Sequence, residues 1–144
     1  LIAIAHARSG DKGADANIGV RARHPDFLPL LRHQLSAEIV AGWMAHRMGS
    51  GTFTQVHSVG RVDRYDVPGI HALNFVLRDA LGGGGIASLR FDPQGKAYAQ
   101  QLLDLPLQIP ATWLTHPSLA KTPEVQAMRR NRGLELPSGG AGRS

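Results

Sequence analysis

The chain opens on a short apolar run, "LIAIAHAR" (Leu1–Arg8), that ends in polar turn residues. This pattern predicts a buried strand, with Ile2, Ile4, His6 and Arg8 sharing one face under the two-residue period. "NIGVRAR", from Asn17, predicts a second strand leaving a polar turn. In "HPDFLPLLRHQLSAEIVAGWMAHRM", Phe27, Leu31, Leu35, Ile39 and Trp43 recur every fourth residue and Leu30 widens the stripe, which predicts a long amphipathic helix. Asp26 is its expected N-cap, Pro29 falls in its first turn, and "GSG" at Gly49–Gly51 ends it.

Further along, "FTQVHSVGRVDRYDV" alternates in a β-like pattern and is interrupted by Gly60, so one bent strand or two short ones fit. "PGIHALNFVLRDALGGGG" places Ile70, Leu73, Leu77 and Leu81 at helical spacing and predicts a second main helix, stopped by four glycines. "ASLRFDPQG" reads as a strand and turn, "KAYAQQLLDL" as a short helix and "LPLQIP" as a last extended segment. The order β-β-α-β-α-β-α-β argues for an α+β sandwich with its helices on one face. After Pro110 the composition shifts to prolines and a Gly/Ser end, so residues 1–110 are the expected domain and 111–144 an extended or flexible tail.

At 144 residues and 42% hydrophobic, the chain is long enough for one packed core. With no cysteine, disulfides, thiolate chemistry and cysteine-ligated zinc are excluded, which fits a reducing cytoplasm. The apolar runs are too short to span a bilayer, and no basic-then-apolar signal-peptide pattern is read in the first residues. The net charge is +5, yet the segment from Ala111 holds five cations against two acids and carries more than half of that excess. With only 6% aromatic residues, this balance argues against a nucleic-acid partner. The seven histidines show no metal-ligand spacing, so no metal site is expected, and His6 reads best as a half-buried strand residue.

Candidate chemistry concentrates in "ARSGDKGADANIGV" (Ala7–Val20). Gly10 and Gly13 could turn backbone N–H groups into one concavity, with Arg8 and Lys12 adding positive charge, as in an anion nest. Asp11 and Asp15 could serve as acid or base. The same residues equally suit a polar turn pinned by ion pairs. Ser9 lacks the surroundings of a nucleophile motif. Gly82–Gly85 would either cradle a ligand close to the backbone or flex, and Asn74 on the second helix stripe would tie that helix to a loop.

Together, "ARSGDKGADANIGV", "RYDVPGIHALNFVLRDALGGGG" and "SLRFDPQGKAYAQQLL" resemble the small C-terminal domain of the acyclic terpene utilisation protein AtuA family, over most of residues 1–109. The resemblance implies a ferredoxin-like α/β sandwich, with a mixed sheet and two main helices on one face. It also implies the small subunit of a split protein whose large AtuA-like partner is a separate chain, with self-association as a further assembly. Terpenoid or branched-acid breakdown through acyl-CoA thioesters is the associated chemistry, a hydratase (hydro-lyase) step is the expected reaction, and no cofactor beyond the CoA thioester substrate is expected. Matching the motifs carries over Asp11 and Lys12 as proton-transfer residues. Arg8, Ser9, Gly13, Asn17, Asn74, Arg78, Gly82, Gly83, Gly84 and Gly85 carry over as substrate-binding positions. The alternative is a non-catalytic module that docks and stabilises the large subunit.

Overall fold

The structure, a computed structural model, describes residues 1–48, 61–85 and 87–131. The interrupted segment before Gly60 and the "GSG" stop lie outside the described residues. Leu1–Ile109 form one compact unit, and a second begins at Pro110.

In the first unit, strands β1 (Ala5–Lys12) and β2 (Asp15–Ala22) form a hairpin, and β3 (Val62–Val67) and β4 (Ala72–Leu77) follow. The sheet order is β1-β2-β4-β3. Every pairing is antiparallel, where a mixed sheet was expected. The α+β class holds, in the form of two hairpins joined side by side through β2 and β4.

Register and burial define two unlike faces. Ile18 opposes Phe75, Val20 opposes Leu73 and Ala16 opposes Leu77, and all six are buried. Burying one such aromatic or aliphatic side chain contributes about 1.5–3 kcal/mol, so these cross-strand pairs are the centre of the core. Helix α4 (Tyr98–Leu103) covers β1 and β2 on this face and buries Tyr98, Ala99 and Leu102. Helices α1 (Leu28–Gln34) and α2 (Ala37–Trp43) close over β3, where Arg64 donates to the carbonyls of Arg32 and Leu35. The short α3 (Ala45–Met48) follows. Gln101 of α4 ties the two helical groups together, accepting from the Trp43 indole through its carbonyl and from Arg47 through its side chain. Among the described residues of this unit, no helix is layered on the opposite face of the sheet.

The second main helix is not formed. Residues 68–70 make one 3-10 turn, His71 takes a left-handed conformation (φ 54°), and the apolar run that follows is β4. Leu73 and Leu77 satisfy a helical period, but Phe75 between them completes a strict strand alternation with Asn74 and Val76. Central pairing with β2 decides for the strand. The long first helix also breaks. Leu35 leaves helical geometry and the Ser36 hydroxyl caps α2 by accepting from the Ile39 amide. That break resets the helical phase, so Val40 and Met44 are buried while Ile39 and Trp43 stay 44% and 38% exposed. Pro29 does sit in the first turn of α1, but His24 rather than Asp26 caps the preceding 3-10 turn. Residues 2–4 form a turn instead of strand, and the stretches "ASLR" and "LPLQIP" pair with no strand among the described residues.

In the second unit, a 3-10 segment (Ala111–Thr115) leads into α5 (Pro117–Ala120) and α6 (Pro123–Asn131), with Leu119 and Val125 buried. Residues 111–131 are therefore largely helical, not extended. No helix among the described residues is long and apolar enough to cross a membrane.

Truncating Phe75 to alanine should lower the unfolding free energy by about 3–5 kcal/mol. Tyr65→Ala, on the bare side of the same sheet, should change it by less than about 0.5 kcal/mol. Urea denaturation reads both, and comparable losses would mean that the two faces are equally covered.

Candidate functional site

The motif "ARSGDKGADANIGV" is a hairpin, not a loop. Lys12 opposes Asp15 across a two-residue turn in which Gly13 takes φ +67°, the left-handed geometry that a type II′ turn requires at its first position. Arg8 through Lys12 belong to a strand ladder, so their backbone does not curl into a nest. Alternation then splits the motif. Ser9 and Asp11 share the helix-covered face, whereas Arg8, Lys12 and Asn17 share the open one.

On the covered side, the Ser9 hydroxyl donates to the Gly95 carbonyl at 2.6 Å and accepts from the Ala99 amide at 3.0 Å. It thereby fastens the start of α4 to β1. Asp92 supports the same turn by accepting from the Lys96 and Ala97 amides. The fold thus fully employs the Ser9 hydroxyl, which leaves it no part as a nucleophile.

At the tip of the hairpin, the Leu81 amide donates to the Ala14 carbonyl at 2.9 Å and brings the glycine loop against the turn. Gly84 (φ +89°) packs so closely that a Cβ there would fall 2.7 Å from the Gly13 carbonyl oxygen. Only glycine fits this approach. The junction encloses an open hollow of about 570 Å³ lined by Asp11, Gly13, Gly83, Gly84, Gly85 and Gln94, among others. The Asp11 carboxylate stands 3.9 Å from the Lys96 ammonium. Lys12 points to the other side of the sheet, so the two carried-over proton-transfer residues are not brought together, and Lys96 stands beside Asp11 instead. Lys96 has no signal in the sequence, since it meets Asp11 only once α4 docks on β1.

Arg78 leaves the end of β4 between two acids. Its guanidinium donates to Asp15 at 2.7 Å and to Asp63 at 2.7 Å, and Arg61 donates to Asp63 at 2.8 Å. Asp15 also accepts from the Asp79 amide. That amide, and then Arg78, hold the Asp15 carboxyl below the ordinary aspartate range. Arg61, and then Arg78, do the same for Asp63, and the two acids together push the Arg78 guanidinium further up. On the open face the Asn17 amide donates to the Asn74 side-chain oxygen. Asn74 therefore links two strands rather than a helix to a loop. His6 sits beside Arg23, and partial burial followed by the charges of Arg23 and Arg21 lowers its pKa.

The carried-over residues thus fall into three groups. Asp11, Gly13 and Gly83–Gly85 line the hollow. Ser9, Asn17, Asn74 and Arg78 make contacts that hold the sheet and its helix in register. Arg8 and Lys12 are exposed and carry no partner among the described residues. Gly82 belongs to none of these groups: it is outside the lining of the hollow and takes φ +58° with the Arg90 side chain against it.

The geometry defines an open-faced antiparallel α+β domain whose hairpin tip and glycine loop make one wall of a hollow. A model of the AtuA ferredoxin-like domain family matches residues 1–108, and the chain belongs to that family. No curated protein and no solved structure matches it.

Two substitutions test the fold-holding group. Ser9→Ala should lose about 1–2 kcal/mol of stability, because the Gly95 carbonyl and the Ala99 amide lose their partner. Asp15→Asn should lose about 1 kcal/mol at pH 7, a charged hydrogen bond discounted for the exposure of Arg78. The folded carboxyl titrates below its unfolded value, so its stabilisation is complete above about pH 4 and fades as pH falls further. Urea melts from pH 7 to pH 3 should therefore show native protein and Asp15→Asn converging in acid, and a gap that stays constant with pH would refute the assignment.

Proposed function

We propose that this chain is the smaller component of a two-part enzyme acting on CoA thioesters in terpenoid or branched-acid breakdown, and that the reaction is a hydration. The hollow carries this reading: a carboxylate and an ammonium 3.9 Å apart at the edge of a wall made of backbone. Hydration of an α,β-unsaturated thioester adds hydroxide at the β-carbon and a proton at the α-carbon. Asp11 takes the proton from the attacking water, and the Lys96 ammonium supplies one to the α-carbon. Transfer of a proton from Asp11 back to Lys96 then resets the pair. Gly13 and Gly85, where a Cβ would meet nothing within 4 Å, let the thioester approach the main chain without side chains in the way. The large AtuA-like chain completes the site and closes the open side of the hollow.

A docking role without chemistry is the second reading. It is favoured by the uncovered sheet face and by the commitment of Ser9, Asp15 and Arg78 to the fold.

Turnover of a branched unsaturated acyl-CoA, measured with the chain reconstituted with its large partner, separates the two. Asp11→Asn and Lys96→Ala should each cut kcat by about 10²–10⁴-fold with the complex intact, the range expected for loss of a general acid or base. Unchanged turnover in an assembled complex would leave the docking role.

A further inference from the structure

The open face of the sheet carries features that the fold does not need. Arg8 and Arg21 lie diagonally adjacent on β1 and β2, and Lys12 stands further along β1. All three are exposed, and they are the only Lys or Arg side chains among the described residues of Leu1–Ile109 without a partner. The acids of this face, Asp15 and Asp63, are matched by two cations, Arg78 and Arg61, so that cluster is neutral and leaves the charge of Arg8, Arg21 and Lys12 in place. Across the sheet, Tyr65 and Ile70 are 49% and 56% exposed.

Gly19 lies next to the cations, and Asn74 stands between it and Tyr65. It falls in one row with Arg8, Asn74 and Tyr65. Glycine in a strand interior is destabilising by roughly 0.5–1 kcal/mol relative to alanine. Here neither conformation nor packing asks for it: the backbone is ordinary strand, and a Cβ would meet nothing closer than the Arg8 carbonyl oxygen at 3.9 Å. A bare floor remains as the reason, and a glycine in a strand often marks close approach of a ligand. The groove at this floor, about 260 Å³, is bordered by His6, Arg8, Arg21, Ile70 and Ala72.

We propose that this face binds one phosphorylated purine nucleotide, its base lying on Gly19 toward Tyr65 and its phosphates on Arg8 and Arg21. The proposal rests on the reading of a CoA thioester substrate, and the nucleotide is then the 3′-phospho-ADP end of CoA. Guanidinium groups match phosphate oxygens in pairs, and one aromatic face accommodates one base. A single exposed tyrosine provides no platform for successive bases, so one nucleotide fits better than a nucleic-acid strand. Arg8 lies four residues before Lys12 along edge strand β1, about 13 Å at the usual rise. An extended pantetheine arm can follow that edge to the hollow. Lys96 marks the route, its ammonium 3.5 Å from where a Gly10 Cβ would stand.

Isothermal titration of the full 144-residue chain tests this without any turnover. CoA should bind at least about tenfold tighter than 3′-dephospho-CoA, pantetheine should not bind detectably, and affinity should fall as salt rises. Arg8→Gln and Arg21→Gln should each weaken CoA about tenfold, and Tyr65→Ala about fivefold or more. Gly19→Val should weaken it about tenfold or more while the melting temperature holds, and Arg32→Gln, an equal charge loss on a helix, should leave it unchanged. Pantetheine binding as well as CoA, no CoA binding, or Gly19→Val binding normally would overturn the proposal. An oligoadenylate single strand outcompeting CoA would overturn it in favour of a nucleic acid. CoA binding as described with full turnover in Asp11→Asn would sink the hydration chemistry and leave this site standing.

Discussion

The register between β2 and β4 is the constraint on which the rest of the domain depends. With Ile18 opposite Phe75, the buried residues of both hairpins face the same, helix-covered side of the sheet. A slip by one residue would turn Leu73, Phe75 and Leu77 to the open side and remove the core. The same register sets Leu77 opposite Ala16, so Arg78 emerges beside Asp15 and the Leu81 amide reaches Ala14. It also brings Asn17 diagonally next to Asn74. Polar contacts at the end of the sheet and on its bare face thus report the alignment that the apolar face requires. The hollow follows, because the glycine loop can reach Gly13 only from the end of a correctly paired β4.

The sequence pattern conveyed the class of fold and the position of the polar motif better than it conveyed the elements around them. β4 shows why. Ile70, Leu73, Leu77 and Leu81 fit a helix as well as Leu73, Phe75 and Leu77 fit a strand, and six residues are too few for periodicity to decide. The arbiter is a partner strand 57 positions away at the Asn17–Asn74 pair. The break in the first helix was more accessible. Ser36 followed by a good helix former is a cap signal, and the four-residue stripe running through it obscured that signal. At the candidate site, the motif residues are indeed neighbours. Whether they share a face depends on the stretch being strand or loop, which length and composition left open. Lys96 had no local pattern to find, since only the packing of α4 against β1 brings it to Asp11.

Electrostatics divides the domain along the same lines. The acids at the tip of the sheet are hydrogen-bonded, and their carboxyls are held ionised below the ordinary range. Arg78 answers both, so a cation that looks like an anion ligand in the motif is a structural tie. Cations with no such acid within reach stand on the outer half of the hairpin. An exposed arginine loses side-chain entropy when fixed in an ion pair and gains little in return. Leaving Arg8 and Arg21 unpaired therefore costs the fold almost nothing, and it keeps their guanidinium groups available to an external anion.

Strand alternation is how one eight-residue segment serves both purposes. In β1, odd positions such as Ser9 and Asp11 point to the helix side, and even positions such as Arg8 and Lys12 to the open side. One residue more between Arg8 and Ser9 would exchange these roles beyond the insertion. Lys12 would then stand against α4 and Asp11 on the bare face. The motif is consequently a statement about spacing as much as composition. The same residues shuffled within the strand would keep its charge and hydropathy and lose both the helix anchor and the wall of the hollow. Glycine completes the arrangement at two levels. Gly84 is imposed by contact with the turn, while Gly19 is permitted by the fold and not required by it. A residue that the fold requires says where the chain must bend. A glycine that the fold merely tolerates, at a cost in stability, points outward to what rests on the sheet.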